Sequence, residues 1–315
     1  MNCSYFCTPE FSSQVLGFFA FPELPINFLG AYTILFKTPT CMKSVKWNMF
    51  NLHFWNMALD IFFTILVRPF PLFPAVAFLP TGVLSGFGVP SNLQVISSLV
   101  ILMMVCVTVI SIMENRYYCL FSRNSCWKSS RQFFMLFNYA IVIGCILFPT
   151  FQSSPSAEVL QKMFPEIPIF MYSPSLFIFN TDRFYTSLSM FFAGFLIISE
   201  TAVFCGLIIW NMWKHHENIS RKAFELQKKF LMALAIQISV PFIVLAGPAT
   251  YNCFSILTRY YNPVANNVVL ITVSTHGWIS AIVMLTIHEP YRNFCFGWIK
   301  RSKVAGRQAT ISAIF

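Results

Sequence analysis

A chain of 315 residues that is 57% hydrophobic and only 10% charged lacks the polar side chains needed to coat a water-facing surface; soluble domains carry about 25% charged residues. Its formal charge of +10 could suggest a nucleic-acid partner, but the lysines and arginines fall in short clusters between apolar runs and leave no basic face for a polyanion. A soluble domain and a nucleic-acid binder are thereby excluded, and a multi-span membrane protein is indicated.

The apolar runs lie at about 12–36, 48–75, 93–113, 133–151, 184–213, 229–251 and 267–288. A helix rises about 1.5 Å per residue, so each run can cross a hydrocarbon layer of about 30 Å. Continuous runs, rather than short alternating ones, exclude a membrane barrel. The expected fold is an all-α membrane protein: a seven-transmembrane helix bundle over residues 1–288, then a tail over 289–315. No basic n-region or small-residue cleavage site opens the chain, so the first run is expected to act as its own targeting signal. No internal repeat of the transporter kind is visible.

Several runs contain residues that a lipid environment penalises. The first holds Glu23, the second Asp60 near its middle and Arg68 toward its end, the fifth Glu200 and the seventh His276. Ionisable groups inside spans are costly, which makes each a functional candidate. Glu23 and His276 are candidate polar handles for a ligand. Asp60 fits a functional role and a structural pairing equally, because the sequence does not fix what faces it. Pro241 sits inside the sixth run and predicts a kink.

Positive residues resist translocation. Lys37, Lys43 and Lys46 follow the first run; Arg116, Arg123, Lys128 and Arg131 follow the third; Lys214, Arg221, Lys222, Lys228 and Lys229 follow the fifth; Arg292, Lys300, Arg301, Lys303 and Arg307 follow the seventh. Only Arg68, Lys162, Arg183 and Arg259 remain for the opposite face and the spans. The N-terminus is therefore expected to be extracellular and the C-terminus cytoplasmic. Asn2-Cys3-Ser4 is then a glycosylation acceptor at Asn2, and Asn218-Ile219-Ser220 faces the cytosol unmodified. The outer loop at 152–183, with four prolines and many aromatics, is expected to cap the bundle mouth. The ten cysteines give no disulfide framework; an outer bridge would have to join two of Cys3, Cys7 and Cys253. His215-His216 lacks further spaced ligands, so no metal is expected, and no cofactor motif is present.

Residues 30–55, GAYTILFKTPTCMKSVKWNMFNLHFW, carry a resemblance. Gly30, Tyr32, Lys37-Thr38-Pro39 and Met42, with Leu52 directly followed by His53, resemble the first inner loop of the nematode class H serpentine chemoreceptors. Glu114-Asn115-Arg116-Tyr117 after the third run and Pro290-Tyr291-Arg292 after the seventh agree with it. The likeness covers about residues 10–300 and implies a chemosensory G-protein-coupled receptor. Such a receptor binds a small odorant or other environmental molecule from outside and activates a heterotrimeric G protein inside. It also implies a plasma-membrane protein surrounded by lipid, in sensory-neuron cilia, with no enzymatic activity.

By this resemblance Glu114, Asn115, Arg116 and Tyr117 look like the Asp/Glu-Arg-Tyr of rhodopsin-like receptors with Asn115 inserted. Residues two apart on a helix point to different faces, which argues against a direct Glu114–Arg116 pair. Arg116 is then expected to be held by another helix at rest and to meet the G protein when the sixth span swings out, hinged at Pro241. Interfacial anchoring by Arg116 and Tyr117 is the plainer alternative. Pro290, Tyr291 and Arg292 form either a hinge or a helix stop with an interfacial aromatic. The following FCFGWIKRSK suits a helix on the inner leaflet, with Cys295 open to palmitoylation.

A ligand-gated seven-helix channel or a transporter is the rival reading. The channel needs the opposite orientation, and the transporter lacks repeats. A retinal-binding pump needs a lysine in the seventh run, which has none, and no hydrolase or metalloprotease motif is present.

Overall fold

The computed structural model describes residues 5–123, 125–148, 157–168, 171–179, 183–214 and 221–297. In chain order the helices are α1 (Pro9–Lys37), α2 (Lys43–Ile61), α3 (Val83–Gly86), α4 (Ser91–Tyr117), α5 (Trp127–Leu147), α6 (Ala157–Met163), α7 (Arg183–Lys214), α8 (Arg221–Thr258) and α9 (Pro263–Ile287). Three short strands are interleaved: β1 (Pro69–Pro71), β2 (Ala77–Pro80) and β3 (Phe177–Ile178). Among the described residues seven helices, α1, α2, α4, α5, α7, α8 and α9, are long and apolar enough to cross a membrane. A further helical stretch covers residues 289–297.

Local chemistry starts these helices where they start. Thr8 caps α1 by accepting from the Phe11 amide, and Pro9 supplies a preset φ in the first turn. Asn262 and Pro263 do the same for α9, the Asn262 side chain accepting from the Ala265 amide at 3.1 Å. The helices extend past the apolar runs, α8 above all, because their polar ends continue as helix into the water layer while hydropathy registers only the middle. α1 passes through Pro22 and Pro25 without interruption. α8 likewise continues through position 241.

The second run is where sequence and structure part. Its apolar stretch extends to residue 75, but the helix gives out in a wide turn at Phe62–Leu66. Arg68 adopts a left-handed φ of 46°, and Pro69, Pro71 and Pro74 remove the amides a helix would need. The chain instead doubles back: Phe70 pairs with Leu79 and Pro71 with Phe78, antiparallel. β3, from the 152–183 loop, adds a third strand by pairing Ala77 with Ile178. The cap expected from that loop is thus built largely from residues 69–80, with Phe164, Ile167, Met171 and Phe179 buried beside it.

This hairpin closes one end of the bundle. Phe73, Val76 and Phe78 pack with Val95 at the start of α4, Ile256 at the end of α8 and Phe179. Asn266 on α9 donates to the Phe73 carbonyl at 3.1 Å. At the opposite, lysine-rich end a smaller cluster of Ile34, Met42, Val45, Met49, Met284, Leu285 and Tyr291 binds α1, α2 and α9 together. The main core between them is centred on α4, which buries Val105, Val107, Val109, Ile110 and Ile112.

Candidate functional site

Two polar constellations stand out from the apolar packing. The first lies at the basic end, where α4 ends in Glu114, Asn115, Arg116 and Tyr117. These four point in four directions. Glu114 is buried and receives Arg131 at 2.8 Å and the Trp127 indole N–H at 2.8 Å, both from α5. Asn115 donates to the Ser44 carbonyl on α2 at 3.1 Å and accepts from Arg131 at 3.3 Å. Arg116 lays its guanidinium over the Phe230 ring of α8, 3.7 Å from the centroid, while its Nε has no hydrogen-bond partner. Tyr117 packs its ring against Phe204 of α7. Glu114 and Arg116 do not touch each other in this arrangement, since each is engaged on a different helix.

Around Arg116 the structure gathers residues that single-letter reading does not flag. Phe230 also lies 5.7 Å from the His288 ring, and His288 shares a 2.9 Å hydrogen bond with Gln237, two turns further along α8. Burial, together with the Arg116 guanidinium, pushes the His288 imidazole down to about 4, so it is neutral at physiological pH. Tyr291 is fully buried, not interfacial, and its hydroxyl meets Thr38 Oγ1 at 2.8 Å. Burial raises its phenol above the ordinary value, with Thr38 opposing. Pro290 lies in the helical stretch 289–297. Arg292 is exposed and donates to the Thr286 carbonyl at 3.3 Å. Cys295 packs beside the cluster that contains Tyr291.

The second constellation sits between α1, α2 and α9, midway through the bundle. Asp60 faces Asn27, whose Nδ2 donates to Oδ2 at 3.0 Å, and the Gly277 amide, which donates to Oδ1 at 3.1 Å. Only glycine fits at 277, because a methyl group there would fall on the Asp60 carboxylate. Gly30 has the same role against the His53 ring, which hydrogen-bonds the Asn27 carbonyl at 2.8 Å. Asn56 reaches Ser280 at 3.3 Å, and Thr64 donates to the Asp60 carbonyl at 2.8 Å and lies 3.4 Å from Glu23 Oε1. Glu23 therefore joins Asp60 in one buried group. His276 is buried next to Gly277, and among the described residues no other side chain bonds its ring.

Glu200 lies elsewhere, on α7, with Asn138 of α5 as its hydrogen-bond partner. Pro241 is within α8, and its side chain lies outside the described residues, as does Asn2. Among the described residues no group of three or more His, Cys, Asp or Glu could hold a metal ion.

Comparison with known proteins gives this geometry a context. The chain is 21% identical over 309 residues to serpentine receptor class H-72 of Caenorhabditis elegans, covering 93% of this chain and 86% of that one. The fold is similar to that of squid rhodopsin, with a TM-score of 0.55 and 12% identity over 93% of this chain and 86% of that one. Residues 7–301 match the pattern of the family described as serpentine type 7TM GPCR chemoreceptor Srh. A multi-pass membrane protein with seven spans, a rhodopsin-like bundle and this match over nearly its whole length belongs to the Srh family of serpentine chemoreceptors.

Proposed function

We propose that the chain is a chemosensory receptor that binds a small environmental molecule from its capped, extracellular end and activates a heterotrimeric G protein at its basic, cytoplasmic end. The observation that carries this reading is the Arg116–Phe230 stack, which ties α4 to α8. Arg116 is 8% exposed and its Nε is unpartnered, so its charge is held in place by an aromatic face rather than a carboxylate. Outward movement of α8 breaks that contact and presents a guanidinium at the cytoplasmic face, where a G protein can take it. A ligand drives the change by binding the open form more tightly, and about 1.4 kcal/mol of preference shifts the balance roughly tenfold.

Glu114, Asn115 and Tyr117 fix the end of α4 to its neighbours, Tyr291 fixes the end of α9, and Pro241 supplies the flexible point in α8. The residues facing the G protein are Arg116, Arg292 and the basic segment at 214–229. The protein resides in the plasma membrane, in sensory-neuron cilia, with Cys295 as an inner-leaflet attachment.

The test is topological and needs no ligand. Epitope tags at the two ends of the chain are stained in intact and then permeabilised cells. An N-terminal tag reached without permeabilisation and a C-terminal tag reached only after it are the expected result. The reverse pattern puts the Arg116 end outside and overturns G-protein coupling.

A further inference from the structure

The two buried carboxylates of the central constellation are not equivalent. Asp60 has a donor on each oxygen, Asn27 on Oδ2 and Gly277 on Oδ1. Glu23 exposes no surface, yet its Oε1 receives a single long bond from Thr64 at 3.4 Å and its Oε2 receives none. Among the described residues no lysine or arginine bonds either group: Arg68 directs its donors to the Thr64 carbonyl at 2.6 Å and to Ser13 at 2.8 Å. A buried carboxyl with one long donor and no basic partner is among the costliest groups a bilayer interior can hold, and such groups mark ligand and ion sites.

The surroundings of Glu23 are aromatic. Phe19 lies one turn earlier on the same face of α1, and its ring is 6.3 Å from that of Trp278 on α9. The Trp278 backbone hydrogen-bonds Asp60, and its indole Nε1 is buried without a partner among the described residues. Thr64 belongs to the wide turn Phe62–Leu66 that follows α2, and the capping hairpin begins at Pro69. Glu23 is the central residue of α1, so this group lies at mid-depth in the bundle, joined through Thr64 to the segment that leads into the capping hairpin.

We propose that Glu23, with Phe19 and Trp278, is the recognition point for a small organic ammonium. The carboxylate neutralises the charge, the ring faces take the alkyl substituents and the cation, and the indole N–H serves a hydroxyl or ether oxygen where the molecule has one. Aromatic walls and the lack of a third acidic, His or Cys ligand among the described residues favour an organic cation over a multivalent metal. This rests on the small-molecule receptor reading above and adds the chemical class of the ligand.

The probes are isopentylamine, trimethylamine and tetramethylammonium, with isopentyl alcohol as a neutral shape control and sodium chloride at matched ionic strength. Each is added to the solubilised full-length receptor, and thermal unfolding is followed by fluorescence. At least one amine raises Tm, the alcohol and salt do not, and the shift disappears in Glu23→Gln and persists in Asp60→Asn. Equal stabilisation by alcohol or by salt, an amine shift retained in Glu23→Gln, or no shift with any amine overturns the proposal. Should Glu23→Gln fail to fold, Glu23→Asp withdraws the carboxylate by one methylene and must weaken the amine shift; an undiminished shift is equally fatal. The readout is binding, so its failure leaves a correctly oriented receptor standing, and a reversed topology leaves amine binding measurable.

Discussion

Glu114 and Arg131, seventeen residues apart, form a 2.8 Å ion pair between the end of α4 and the start of α5. The Glu114 end is 1% exposed and the Arg131 end 24%, so the two halves of the pair are unequally dependent on each other. Removing Arg131 strands a buried carboxylate, whereas removing Glu114 frees a guanidinium that can turn toward water while resting on Tyr118, 4.0 Å from that ring. Arg131→Ala is expected to cost about 2 kcal/mol, and Glu114→Gln distinctly less, as measured by thermal unfolding of the solubilised protein. Equal losses would contradict the asymmetry.

Phe230 is expected to set the resting activity. A desolvated cation–π contact is worth about 2 kcal/mol, enough to change the population of an open form by roughly thirtyfold. Phe230→Ala should raise ligand-free G-protein signalling at equal surface expression, and Phe230→Trp should keep it at the resting level. Unchanged basal signalling in Phe230→Ala would remove the latch from the mechanism.

The Gly277–Asp60 approach predicts a size rescue. Gly277→Ala drives a methyl into the carboxylate and should abolish or sharply reduce correctly folded receptor at the cell surface. Pairing it with Asp60→Ala makes room, and surface expression should recover in part. A double variant no better than Gly277→Ala would place the fault elsewhere.

Val76 holds a left-handed φ of 45° while its side chain is fully buried in the cap. For a β-branched residue that conformation costs on the order of 1–2 kcal/mol, which glycine avoids. Val76→Gly should therefore destabilise no more than Val76→Ala, inverting the usual order for a buried position. Melting temperatures of the two variants decide it.

His288 predicts an acid sensitivity. Its pKa lies near 4 when folded against 6.5 for the free group, so the unfolded chain binds more protons in between. Stability must fall as pH drops through that window, by about 3 kcal/mol at most. His288→Gln, which keeps a side-chain partner for Gln237, should flatten the fall between pH 6.5 and 4.5 in solubilised receptor.

The seven spans were legible because hydropathy is local, and each span has to satisfy the bilayer by itself. The cap was not, since Pro69 to Ala75 read as the end of the second run, and strand formation depends on residues as distant as Ile178. Arg116 was visible as a charge at a span end, but Phe230 is one of 37 phenylalanines and gave no signal. Asp60 was flagged, while its partners Asn27 and Gly277 lie 33 and 217 residues away. Gly277, small beside a histidine in an apolar run, was the available clue to that close approach.

The first and last spans are fastened to each other at both ends. On the capped side Asn267 donates to the Phe6 and Thr8 carbonyls at 2.7 and 3.3 Å, and on the basic side Tyr291 meets Thr38. With Asp60 wedged between them, α1, α2 and α9 behave like the riveted seam of a barrel. Any widening of the ring is then expected to fall on the other staves, α5, α7 and α8, while the first and last spans stay closed on each other.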